Sequence, residues 1–137
     1  EEGFSCAFRQ WRAHSHCRFL HGYSLAFKFT FETDELDERN WAVDFGSLKS
    51  LKEILKTTFD HTTIIAEDDP ELELFRELNT RGLIQLRILP DVGCEKFAEY
   101  MFLTAEVWLI DNGYSPRVSV KSVEVWEHGA NSAQVYN

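Results

Sequence analysis

The sequence predicts one α+β domain whose main elements run strand, strand, helix, helix, strand, strand. An antiparallel sheet of four strands then carries two helices on one face. Three observations predict it. From His21, the residues Tyr23, Leu25, Phe27, Phe29 and Phe31 alternate with Ser24, Ala26, Lys28, Thr30 and Glu32, a sustained period of two. Two later segments repeat apolar residues at three- and four-residue steps, and a valine-rich extended segment follows them.

Taken in order, Phe4-Ser5-Cys6-Ala7-Phe8-Arg9 reads as a first strand and the alternating segment after His21 as the second. Asp34 to Asn40 is an acidic connection. Ser47 is a candidate cap for a helix whose apolar positions are Leu48, Leu51, Ile54, Leu55, Thr58 and Phe59. That helix ends at Asp60-His61. Residues 64–69 read as a loop, Pro70 to Leu78 as a short helix, and Leu83 to Leu89 as a short extended piece. The second main helix follows Asp91, with Phe97, Met101, Ala105, Trp108 and Leu109 as its stripe and Asn112-Gly113 as its stop. Pro116 to Trp126 and Ala133 to Tyr136 are the last two strands, with a turn over Gly129 to Asn131. Four strands leave two open sheet edges, which a homo-oligomer would hide.

Bulk composition bounds the function. A length of 137 residues suits a single domain spanning 1–137, and 14% aromatic content supplies a full core with some left for subunit contacts. The formal charge of −9 argues against nucleic acid as the main partner. Cys6, Cys17 and Cys94 are odd in number and form no C-x-x-C pair, which favours a reducing, cytoplasmic setting over a disulfide framework. No run is apolar and long enough to span a membrane.

Chemistry concentrates in Ser15-His16-Cys17-Arg18-Phe19-Leu20-His21-Gly22-Tyr23, just before and into the second strand. Cys17 is a candidate nucleophile or base, because a thiolate near positive charge is reactive. His21 is a candidate metal ligand or proton carrier. Asp60-His61 sets a carboxylate beside an imidazole, a pair suited to proton transfer, and equally a favourable helix end. Glu127 can receive two N–H donors of a planar heterocycle through its two oxygens, or be one more surface acid. Cys6 reads as a small buried hydrophobe and Cys94 as a packing residue at a helix start. Arg9, Arg12 and Arg18 are candidate contacts for a small anion such as a triphosphate, or solvated charges.

Several motifs in register resemble the 6-pyruvoyltetrahydropterin synthase / 6-carboxytetrahydropterin synthase family. Phe4-Ser5-Cys6-Ala7-Phe8 is similar to its S-A-A-H strand end, and Cys17 to Tyr23 to its C-x-x-x-H-G-H. Val43-Asp44-Phe45 with Leu48-Lys49, Phe59-Asp60-His61, Gly93 to Ala98 and Val125-Trp126-Glu127-His128 match further family motifs in order. The resemblance implies a tunnelling fold (T-fold), a barrel-forming trimer or hexamer with sites between subunits, and a zinc-assisted lyase acting on the side chain of a 7,8-dihydropterin triphosphate. It assigns Cys17 as the base, Asp60 and His61 as its acid/base partners, Glu127 as the pterin anchor, Glu95 as a nearby acid and His21 as a zinc ligand. The C-x-x-x-H spacing is nearer the 6-carboxytetrahydropterin synthase branch.

One departure matters most. The family's zinc is held by three histidines, and two of those positions here are Phe8 and Tyr23. Catalytic zinc ordinarily needs about three protein ligands. Two alternatives stand: His14, His16 or the Tyr23 hydroxyl completes a rebuilt site, or the metal is gone and the chain is a non-catalytic or repurposed pterin-binding protein.

Overall fold

The computed structural model describes residues 3–127 and 131–137. In chain order the elements are β1 (Phe4–Phe8), β2 (His21–Thr33), α1 (Leu48–Phe59), β3 (Thr62–Ala66), α2 (Leu72–Thr80), β4 (Leu86–Leu89), α3 (Cys94–Asp111), β5 (Val118–Glu127) and β6 (Asn131–Tyr136). The expected turn over Gly129 to Asn131 and the His128 position fall outside the described residues, apart from Asn131, which opens β6.

The expected four-stranded sheet is corrected to a six-stranded mixed one, in the order β4-β3-β1-β2-β5-β6. Neighbours β1, β2, β5 and β6 are antiparallel, as the alternation required. Beyond β1, strands β3 and β4 add in parallel. The segment read as a loop over 64–69 therefore begins inside β3. Its physical reason is burial: every residue of β3 is buried, so both faces are covered and no polar alternation marks the strand. β4 is only four residues long, too short for a periodic signal. Among the described residues three α-helices form, two long and α2 short.

The core lies where α1 and α3 meet one face of the sheet. Phe97 of α3 sits edge-on to Phe8 of β1 at 5.0 Å and to Phe59 of α1 at 5.2 Å between ring centroids. Phe59 in turn tilts against Phe27 of β2 at 4.7 Å. The expected α3 stripe of Phe97, Met101, Ala105, Trp108 and Leu109 is buried throughout. Ser47 does not cap α1, because its hydroxyl donates to the Asp44 carbonyl instead; the Asp44 carboxylate accepts from Gly46 N–H at 2.8 Å one turn earlier. Among the described residues no helix is long and apolar enough to cross a membrane.

Phe97 touches every layer of this core at once. Phe97→Ala should therefore lower unfolding free energy by about 3–5 kcal/mol, read as a shifted midpoint in urea denaturation. A change below about 1 kcal/mol would mean that the three-ring junction is not the keystone it looks to be.

Candidate active site

Strand pairing assembles the site. In the antiparallel β1–β2 ladder Phe8 lies opposite His21 and Cys6 opposite Tyr23, while β2–β5 pairing sets Glu127 opposite Leu25. Directly opposed residues share a face and alternate residues return to it, so positions 6, 8, 21, 23 and 127 all address the helix-covered face. Gly93 then delivers α3 onto this end of the sheet. Its φ of 116° is a conformation that side-chain-bearing residues rarely adopt, and it brings Cys94 against Glu127.

Positions 8, 21 and 23 converge as a three-ligand metal site would require, but the side chains are of another kind. The Phe8 and Tyr23 rings stack with centroids 4.0 Å apart and planes inclined by 15°. Phe8 is only 1% exposed and contributes no donor atom. His21 Nδ1 donates to the Phe19 carbonyl at 2.8 Å, which orients the ring. The His16 ring stands edge-on to it at 6.0 Å. His14 is exposed, and its carbonyl accepts from Arg18. Burial, and then the neighbouring Glu127 and cysteines, raise the Tyr23 phenol above its ordinary range, which favours the neutral form over a phenolate ligand. Among the described residues no three His, Cys, Asp or Glu side chains are arranged to hold a metal ion. Two imidazoles beside an apolar stack do not fit zinc.

Cys17 lies in a short 3₁₀ turn, His16–Arg18, capped by the Ser15 hydroxyl, which accepts from Cys17 N–H at 3.3 Å. The Cys17 carbonyl accepts from Gln10 N–H at 2.9 Å. Cys17 is half-buried, whereas Cys6 is buried and Cys94 half-buried beside acids. Burial, then nearby Cys94, Asp60 and Glu127, push the Cys6 thiol up to about 12. Burial and Glu127 likewise push Cys94 up to about 12. Both thiols stay protonated at neutral pH, so neither is a ready thiolate.

Asp60 and His61 do pair, with Oδ1 and Nδ1 at 3.1 Å. Burial alone would push the Asp60 carboxyl up, but Ser5 N–H and His61 hold it below the usual carboxylate range. His61 adopts φ 58° and donates its N–H to the Ser5 carbonyl at 2.6 Å. The pair thus sits beside Ser5 near the start of β1, while Cys17 is tied in beyond the end of β1. Within one chain they are not brought together. Glu127 Oε2 accepts from the Cys94 thiol at 3.8 Å. Glu95 is exposed in the first turn of α3, one residue from that contact.

The three arginines all make contacts within the chain. Arg9 makes a bidentate pair with Asp69, Nε to Oδ2 at 2.8 Å and Nη2 to Oδ1 at 2.6 Å. Arg12 pairs with Asp68 at 2.6 Å, and Trp11 Nε1 donates to the same carboxylate. Arg18 donates to the carbonyls of His14 and Ser15 and covers the Phe19 ring. Sequence reasoning missed Asp68 and Asp69, since an acidic run before a proline reads as a surface turn; it also missed the Cys94 contact to Glu127. The one available signal was the completely apolar Ile64-Ile65-Ala66 ahead of the acids, which marks a buried strand ending at the turn.

Comparison with known proteins agrees with the fold and the motifs. The family model described as 6-pyruvoyl tetrahydropterin synthase matches residues 1–137. The 6-carboxy-5,6,7,8-tetrahydropterin synthase of Rickettsia typhi is 35% identical over 57 residues, 41% of each chain, so that match spans less than half of the relative. The protein of that name from Aquifex aeolicus is 26% identical over 121 residues, 86% of this chain and 74% of its own. An uncharacterized protein of Wolinella succinogenes superposes with a TM-score of 0.84 at 22% identity, over 100% of this chain and 96% of its own. For 6-pyruvoyl tetrahydropterin synthase of Plasmodium falciparum the TM-score is 0.70 at 16% identity, over 100% and 94%. These structural likenesses speak for the fold, and the full-length match speaks for descent: the chain belongs to the 6-pyruvoyl tetrahydropterin synthase family.

Proposed function

We propose that the chain binds a 7,8-dihydropterin bearing a triphosphate side chain and acts on that side chain as a lyase of the 6-carboxytetrahydropterin synthase type. The observation that carries the reading is Glu127. Its carboxylate stands at the end of β5 on the face shared with Tyr23, and accepts from a thiol, the weakest of the common donors. The paired N–H edge of a pterin is a far better donor set for its two oxygens. Glu95, in the first turn of α3 next to Cys94, is the second acid of this reading. Cys17 takes a proton from the substrate side chain, and the freed electron pair forms a new double bond as a C–C or C–O bond of that chain breaks. The Asp60–His61 pair gives a proton to the fragment that leaves. Because the pair and Cys17 stand apart within one chain, the reading calls for a homo-oligomer in which a neighbouring copy supplies the pair. No step passes through a metal.

A second reading, binding without turnover, is favoured by one observation: an apolar stack at Phe8–Tyr23 where the resemblance calls for metal ligands. Incubation with dihydroneopterin triphosphate, zinc supplied and zinc withheld, separates the two by mass spectrometry. The first predicts a shortened side chain, while retention of intact ligand supports the second. Glu127→Ala should weaken pterin binding by about 10–100-fold in either case, the worth of hydrogen bonds to a charged group. Unchanged affinity in that variant would sink both readings.

The metal position has its own test. Phe8→His with Tyr23→His places three imidazoles at the converging positions, so the double variant should take up about one zinc per chain in competition with a chromophoric chelator. Wild type should take up none at that chelator strength, and stoichiometric zinc on wild type would overturn the ligand argument.

A further inference from the structure

The segment that carries Cys17 lies outside the sheet, between β1 and β2, and its place is set by contacts to the turn between β3 and α2. The Asp69 side chain is fully buried and the Arg9 side chain 20% exposed, so their bidentate pair is shielded from solvent. Asp69 Oδ1 also accepts from Glu71 N–H at 2.8 Å, which locks the carboxylate in orientation. The third donor of the guanidinium, Nη1, reaches the Arg18 carbonyl at 3.5 Å, next to Cys17. The following residue, Gln10, donates its N–H to the Cys17 carbonyl at 2.9 Å. The outer Arg12–Asp68 pair joins the same turn, but both partners are well exposed, and such pairs contribute little.

We propose that Arg9 is a positioning residue for Cys17: seated on buried Asp69, it fixes the place of the thiol through the Arg18 carbonyl and the Gln10–Cys17 bond. Two of its donors are spent on a carboxylate at 2.6 and 2.8 Å, so its fork is used internally rather than offered to a phosphate. Burial alone would raise the Asp69 carboxyl, but Arg9 and the Glu71 N–H hold it below the usual range. The latch therefore stays intact through the ordinary carboxylate range and is lost only as pH falls through that lowered value.

The proposal rests on the reading of Cys17 as the working thiol, but its test does not. Alkylation of the full chain by iodoacetamide, followed by peptide mapping, reports Cys17 separately from Cys6 and Cys94. Asp69→Asn and Arg9→Lys should each speed Cys17 alkylation by about fivefold or more as the segment opens locally, and should displace its pH–rate profile. Phe75→Ala, a control that cuts a buried contact of α2 on the same side of the fold, should lose stability yet leave the Cys17 rate unchanged. Should Asp69→Asn fail to fold, Arg9→Lys, which keeps the charge, carries the test. Rates within twofold of wild type in the folded variants, or an equal change in Phe75→Ala, would overturn the clamp. If the variants behave as expected and wild type binds no pterin, the functional reading fails and the clamp stands.

Discussion

The β1–β2 register is the constraint on which the site depends. Pairing Phe8 with His21 and Cys6 with Tyr23 brings side chains from two distant stretches onto one face, and a slip of one residue would turn every one of them away. The stack of Phe8 on Tyr23 and the edge contact of Phe8 with Phe97 hold that register against the core. Because Phe8 is at once a core residue and the neighbour of the site, packing and chemistry here are one question. An imidazole at this position would gain donor atoms and lose the aromatic junction.

That trade explains the divided character of the pocket. Glu127, Cys17 and the Asp60–His61 pair match the residue types of the family motifs they resemble. Positions 8 and 23 are given to an apolar stack with a neutral phenol beside it. The proposed anchor and proton-transfer groups therefore stand beside an apolar stack at two of the positions where the resemblance calls for metal ligands. In the proposed reading Glu127 holds the hydrogen-bonding edge of a planar heterocycle, and proton movement is assigned to side chains.

Much of this was legible in the sequence, for reasons that differ by element. β2 and α3 announced themselves because each has one buried and one wetter face, so burial writes a period into the sequence. β3 did not, because it is covered on both faces and reads as an unbroken apolar run. The candidate site residues on β2 and β5 were singled out through their motifs. Asp69 was not, since nothing in Glu67-Asp68-Asp69-Pro70 tells a buried carboxylate from its exposed neighbours; only the arrival of Arg9 from sixty positions earlier makes the difference. Arg9 itself was read as an anion contact or a solvated charge for the same reason: a guanidinium shows its charge in sequence but not its partner.

Calorimetric titration of dihydroneopterin triphosphate into chelator-treated protein, with and without added zinc, most directly tests whether the pocket works as a metal-free pterin site. Saturable binding with the same Kd in both conditions is predicted. Binding that appears only when zinc is restored would contradict it.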